Sequence, residues 1–584
     1  MALALVAGCR PLLVRQPAPP LPPAPPAAVA PAPPPPAADS GEILAFINLA
    51  YRAAPGAHRA LGVRIDHVAN AARVAPEPVT WRVTIERAEP LRAPDGGAAI
   101  DEPEAPAPLG EGAPAAAALR EWTGHALFAD NRVKVRIAWD GLDAEGAPLG
   151  EGRYVAHLSA RSGEASVLAE HGFVVGAPAP PVVKSGAAPP VVERLPVGVP
   201  APGGLPYAVV LGNLHSQSNH SDGGGDPATC THAEVPQGGA VGPEAAFDIA
   251  RTRAHLDFLL LSEHNHMYDG DPNSVRASAS PSAIRSTFEG GLALAARYRE
   301  QHAGFVALYG TEYGVIAGGG HLNLINPTGL VTWEESGGGE LLGHFRVGRS
   351  DYHALYALMR SQGWIGQFNH PDPGQFAIAG EPMAWDADGD EVMALAEIGN
   401  SPAFSSALDE SDKDFSSFER GYNKLLLRGY HVAPASNQDN HCANWGLSAP
   451  NRTGFLIPNG TALSADAILA AARARRTFAT TDKTARVALV ANGHLMGERF
   501  ESAGPIALEV LYASDGAEAI DAIDIVRGKA GGARVTTIAS PRASLPLTLP
   551  PGEWFLYARV RQHDGDLLWS APVWITQRPV APAN

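Results

Sequence analysis

The stretch Leu211-Gly212-Asn213-Leu214-His215-Ser216-Gln217-Ser218-Asn219-His220-Ser221-Asp222-Gly223 decides how this chain is read. The apolar run Tyr207 to Leu211 ahead of it predicts a buried strand. The end of that run delivers two imidazoles, a carboxamide and a carboxylate within the eight residues His215 to Asp222, and three glycines follow. Alternate residues of an extended segment share a face, so His215 and Gln217 are expected to point into one cavity. The glycines allow the backbone to turn sharply beside it.

Working outward, five further polar stretches close later apolar runs. They are Ser262-Glu263-His264-Asn265-His266, Gly310-Thr311-Glu312-Tyr313, His321-Leu322-Asn323-Leu324, Gln367-Phe368-Asn369-His370-Pro371 and Ser436-Asn437-Gln438-Asp439-Asn440-His441. Helical patterns at 243–255, 281–301, 351–362, 415–428 and 464–475 lie between the runs. Strand and helix in alternation predict a parallel α/β sheet or barrel, whose chemistry sits at the carboxyl ends of its strands. One histidine alone reads as structural. Histidines and carboxylates at six successive strand ends are the donor set of a multinuclear metal cluster, because carboxylates bridge ions and neutral imidazoles supply nitrogen without adding charge.

The ordered series resembles the polymerase-and-histidinol-phosphatase (PHP) superfamily of metallohydrolases. The family's opening Asp-Leu-His-x-His-Thr … Ser-Asp-Gly is matched by Asn213-Leu214-His215-Ser216-Gln217-Ser218 … Ser221-Asp222-Gly223. Thr-Asp-His is matched by Ser262-Glu263-His264, and Gly-x-Glu by Gly310-Thr311-Glu312. The later Gly-His stands as Gly320-His321, Ala-His-Pro as Asn369-His370-Pro371, and Asp-x-His as Asp439-Asn440-His441. Arg476 to Asp482 and Asn492 to Gly497 are similar to the barrel exit of the carbaryl-hydrolase-like branch.

The resemblance implies a distorted (β/α)7 barrel over 207–485 holding one to three divalent ions of zinc, manganese or iron. It implies His215, Gln217, Asp222, His264, Glu312, His321, His370, Asp439 and His441 as metal ligands, with Glu312, His321 and Asp439 catalytic. Glu263, which replaces an aspartate, and His220, His266 and Asn369 are expected around that set or against substrate. Gln217 stands where the family has histidine, a weaker donor for transition metals. On this reading Cys230 and Cys442 follow motif segments that meet at one mouth, and an even pair in an exported chain is a disulfide candidate, with two separate thiols the other reading.

The rest of the 584 residues supports an exported, multi-domain chain. A net charge of −17 argues against nucleic acid as the main partner. No apolar run reaches membrane-spanning length. Residues 1–9 end in Leu5-Val6-Ala7-Gly8-Cys9, which resembles a bacterial lipobox with Cys9 as the lipidated residue. A Pro/Ala-rich tether (10–40) follows, of a composition that favours extended geometry. Residues 41–176 predict an immunoglobulin-like β-sandwich, with a helix-like piece at Ile43 to Ala53 ahead of strands over 76–176. Trp139-Asp140-Gly141 with Gly150-x-Gly152-x-Tyr154 is similar to the hairpin of bacterial surface immunoglobulin-like domains. A Pro-rich linker (177–206) leads to the central region, and 486–584 alternates as a second β-sandwich with Trp554, Trp569 and Trp574 in its core.

These readings converge on a lipid-anchored, periplasmic or cell-surface metallohydrolase acting on a small-molecule ester, either a phosphoester or an aryl ester or carbamate. The alternative is a surface-anchored binding protein with an inactive barrel. A lipid on Cys9 supplies the membrane affinity, so Cys9→Ser moves the protein from the membrane fraction to the soluble fraction of its host. Unchanged fractionation refutes the anchor.

Overall fold

The run Tyr207–Asn213 forms strand β1, followed in the central region by β2 (Phe258–His264), β3 (Val306–Tyr313), β4 (Leu322–Ile325), β5 (Ile365–Phe368), β6 (Met393–Asn400), β7 (Ala433–Asn437), β8 (Arg452–Pro458) and β9 (Thr477–Thr480). Helices α1 (Pro243–Thr252), α2 (Pro281–Gln301), α3 (Tyr352–Gln362), α4 (Ala387–Val392), α5 (Glu419–Arg428) and α6 (Ala465–Arg473) lie between them. The computed structural model describes residues 43–48, 52–53, 55–67, 77–87, 100–101, 118–128, 132–163, 165–175, 198–271, 275–276, 278–314, 319–540 and 543–579. Cys9, the tether and most of the 177–206 linker lie outside the described residues. No helix among the described residues is long and apolar enough to cross a membrane.

The expected (β/α)7 barrel is corrected by this structure. Strand accounts for 41% and helix for 16% of it, six α-helices are present among the described residues, and the central strands belong to an 18-stranded sheet of mixed direction. Strands β1, β2 and β3 are parallel, as are β5, β6 and β7. Strand β4 runs antiparallel to both β3 and β5, and β8 runs antiparallel to both β1 and β9. Chain length explains the first reversal. Only residues 314–321 separate β3 from β4, and a parallel crossover needs a dozen residues or more. Between β7 and β8 the connection is made by a side chain: Thr453 Oγ1 accepts from Ser436 N at 3.0 Å and donates to Ser436 O at 3.1 Å.

The helices start where side chains cap them. Ser280, Asp351 and Ser464 accept from backbone N–H groups in the first turns of α2, α3 and α6. Gly363 ends α3 at φ 68°, a left-handed conformation that glycine adopts without strain.

The sheet does not stop at residue 485. Strand β9 pairs with Leu567–Ser570, so the strands of 486–584 extend the central sheet. One apolar core runs from Val209 and Phe455 through Phe478 to Ile525, Leu556 and Ile575. Trp569 and Trp574 are buried, whereas Trp554 is half-buried and donates to Pro550 O at 2.8 Å.

The N-terminal region packs a three-stranded sheet (Ile43–Asn48, Arg59–His67, Arg132–Trp139) against a five-stranded one around a shared core of Val63, Val83, Leu158 and Phe173. Ile43–Asn48 is a strand, not the expected helix. Ile43, Ala45 and Ile47 are all buried, which is a two-residue period. In the Trp-Asp-Gly segment Gly141 takes φ 76°, Trp139 Nε1 donates to Leu142 O at 2.8 Å and the Tyr154 hydroxyl donates to Gly150 O at 2.7 Å.

Candidate metal centre

Glu312, near the end of β3, is 1% exposed and stands at the middle of the polar strand ends. Its Oε2 lies 2.8 Å from His215 Nε2, 2.8 Å from Gln217 Nε2 and 3.3 Å from His264 Nε2. Its Oε1 lies 2.8 Å from His321 Nδ1, 2.8 Å from Asn369 Nδ2 and 3.4 Å from His370 Nε2. A carboxylate charge buried this deeply is held only by compensating partners. Burial works to raise the Glu312 carboxyl, but His215, His321 and His264 hold it well below the ordinary value.

Three groups of closely spaced donors surround it: His215, His370 and Asp439; Asp222, His264 and His441; and His264, Glu312 and His321. Eight of the nine ligands expected from sequence are in these groups. The ninth, Gln217, is fully buried against Glu312, and its Oε1 accepts no hydrogen bond among the described residues. The donor set therefore fits one or more cations. The second group gives an independent sign of it. Asp222 Oδ2 and His441 Nε2 are 3.6 Å apart, beyond hydrogen-bond reach, and each lacks a hydrogen-bond partner among the described residues. They face each other as an ion pair without a hydrogen bond, and a shared cation would satisfy both.

The local backbone explains how these residues meet. The opening stretch runs beside the last one, with Gln217 N donating to Asn440 O at 2.8 Å and Gly225 N to His441 O at 3.1 Å. Gly224 turns at φ 77°, and a Cβ on Gly223 would stand 2.4 Å from Gln217 O. A disulfide joins Cys230 to Cys442 across the same two loops. His370 at φ 28° and Asp439 at φ 50° hold left-handed backbone conformations, which cost of order 1–3 kcal/mol each in non-glycine residues.

The residues expected to surround the ligands take different places. Glu263 faces away from them and braces the opening loop, accepting from Ser218 N at 3.0 Å and Ser221 Oγ at 2.6 Å. His220 Nδ1 pairs with the Tyr309 hydroxyl at 2.7 Å, in none of the three donor groups. His266 stacks on Trp333 with ring centroids 5.7 Å apart. Burial, reinforced by His264 and His321, pushes His266 down to about 3, so it is neutral at pH 7. Asn369 Nδ2 lies between Glu312 Oε1 and Asn323 Oδ1, 2.8 Å from each.

Sequence reasoning missed Glu397. It lies in β6, fully buried, with Oε1 2.9 Å from His215 Nδ1. Asn400 Nδ2, Asn437 Nδ2 and His370 N donate to it at 2.9, 2.9 and 2.6 Å. A carboxylate on the far nitrogen of a ligand histidine fixes its tautomer and directs Nε2 to the centre. The signal was present in the sequence: Glu397 is the one charged residue inside the apolar run Val392 to Ile398, and a buried charge needs a partner.

Comparison with known proteins adds little here. No family model matches the chain, and no curated protein matches it. Fibronectin(III)-like modules of Clostridium thermocellum CbhA are 18% identical over 16% of this chain and 99% of theirs, with a TM-score of 0.12. A Parabacteroides merdae β-glucuronidase is 10% identical over 93% of this chain, with a TM-score of 0.16. This chain covers 65% of that enzyme's length.

Two predictions follow from the centre. Glu312→Ala removes the group touching four histidines and lowers bound metal per chain by roughly half or more. Gln217→Ala lowers it less, and Gln217→His holds or raises it. Elemental analysis after gel filtration reads all three, and wild-type metal content in Glu312→Ala contradicts the arrangement. The second concerns pH. Burial opposes the charge on His441, yet Asp222 and Asp439 hold it up at about 9, above the ordinary 6.5. In the metal-free protein that charge stabilises the fold fully below about pH 6.5 and is lost as pH rises through about 9. A cation must displace the proton, so affinity for zinc rises between pH 6.5 and 9 by up to about tenfold per unit and per proton displaced. A competition titration that is flat across this window refutes it.

Proposed function

We propose that this chain is a metal-dependent hydrolase that cleaves phosphoester or aryl ester and carbamate bonds with an activated water. The observation that carries the reading is Glu312 with its ring of His215, His264, His321 and His370 at one set of strand ends. The order of these residues along the chain resembles the PHP metallohydrolases. His215, His370 and Asp439 would hold one cation, and Asp222, His264 and His441 another, with Glu312 between them and His321 beside it. Zinc, manganese and iron suit this mixture of imidazole and carboxylate.

Such ions supply Lewis acidity, which lowers the pKa of water and polarises an ester oxygen. The protein's own groups prepare the place. Glu397 accepts from the Nδ1 atom of His215, leaving its Nε2 directed at Glu312. Buried Asn369 and Gln217 restrain the Glu312 carboxylate by donating to one oxygen each. His266, neutral beside Trp333, adds no charge to an already crowded set of imidazoles. Export and a lipid anchor at Cys9 belong to the same proposal, in keeping with the disulfide.

Purified full-length protein loaded with zinc, manganese or iron hydrolyses at least one member of a panel of 4-nitrophenyl phosphates, phosphodiesters, acetates and N-methylcarbamates. Glu312→Ala abolishes that turnover. Stoichiometric metal without turnover of any member contradicts the enzyme and favours the binding-protein alternative.

A further inference from the structure

A cleft opens beside the ligand His370. Two parts of the chain build it. Phe418 and Arg420, at the start of α5, stand on one side, and Ile43, Val167 and Leu168 of the N-terminal sandwich line the other. The Phe418 ring lies 6.1 Å from that of His370. The wall is fixed in place by residues 404–416 of the central region. Ser416 Oγ donates to Ala45 O, Arg132 Nη2 donates to Phe404 O at 3.0 Å, and Arg64 lies 3.9 Å from Asp412.

Arg420 is unusual within this cleft. It is half-buried, yet it makes no hydrogen bond or ion pair with any described residue. Asp372, which also lines the cleft, is held above its ordinary value by burial, against the pull of Arg420 and Lys424. Lys424 is engaged elsewhere, donating to Pro373 O at 2.6 Å. A guanidinium cannot shed its charge and presents a planar fork suited to oxyanions. A neutral ester offers it a carbonyl acceptor but no charge to pair with, and the apolar residues opposite give a hydrocarbon or aryl body somewhere to lie.

We propose that this cleft is the substrate-binding arm of the metal centre, that Arg420 pairs with an anionic oxygen group on the ester, and that the N-terminal sandwich supplies the apolar wall. The substrate class is then an anionic ester with an apolar body, a phosphoester in preference to a neutral carbamate. The word substrate rests on the hydrolase reading above, and the cleft's preference is therefore tested by binding alone.

The probes are phenylphosphonate, inorganic phosphate and neutral methyl N-phenylcarbamate, titrated calorimetrically into metal-loaded full-length protein. Phenylphosphonate binds more tightly than either of the others. Arg420→Gln weakens it roughly tenfold or more with bound metal and thermal midpoint unchanged, and Arg420→Lys recovers part of the loss. Leu168→Glu, at a half-buried position of the wall, also weakens it by placing a carboxylate in the cleft. Wild-type affinity in Arg420→Gln, or a wild-type protein that prefers the carbamate or ignores phenylphosphonate, overturns the assignment. Wild-type affinity in Leu168→Glu overturns the wall. Intact phenylphosphonate binding in a protein that turns over no ester removes the hydrolase reading and leaves the cleft standing.

Discussion

The carboxylate charge of Glu312 is out of reach of water, and the centre of the molecule is arranged around it. Removing a carboxylate from water costs several kcal/mol even after relaxation. That cost is offset only where positive or hydrogen-bonding groups surround it. Four imidazoles and two carboxamides do so here, drawn from four separate segments of chain. The left-handed backbones at His370 and Asp439 belong to the same account: each residue is held in an unfavourable conformation at the point where its side chain reaches the centre.

The candidate centre was legible in the sequence because polar residues that interrupt apolar runs stand out. His215, His264, Glu312 and Asp439 all sit where a hydrophobic strand ends, and no packing requirement explains an imidazole or carboxylate there. Glu397 was harder to see because it lies within a strand. Its single charge amid Met393–Ile398 was a usable signal, but only the fold shows which histidine it holds. Glu263 illustrates the converse. It stands at a position of the motif that the sequence resembles, yet two serine hydroxyls and a backbone N–H turn it into a brace for the opening loop.

The fold was less legible than the site. Periodicity finds strands but carries no information about their direction. Strand β4 has the same apolar character as the strands on either side of it, and only the short connection over 314–321 forces it to reverse. The junction near 485 was hidden for another reason. Strand β9 reads as the last strand of one region, and Leu567–Ser570 reads as a strand of another. Their pairing is a contact across 88 residues from Thr480 to Leu568 that no local pattern encodes. The N-terminal sandwich was recognised as a module, but its place as a wall beside His370 depends on tertiary contacts such as Arg132 with Phe404.

The disulfide between Cys230 and Cys442 closes a loop of 212 residues. In a chain-entropy picture, a crosslink over that span removes roughly 5 kcal/mol of freedom from the unfolded chain. The same two loops carry Asp222 and His441, so a cation held between them is a second crosslink across the same ring of chain. The two closures are redundant with one another. Whichever forms first fixes the ends for the other, and the second then adds far less than it would alone. Chelation and thiol reduction should for that reason act non-additively: either treatment leaves the ring tied once, and only the two together release the opening stretch from the closing one.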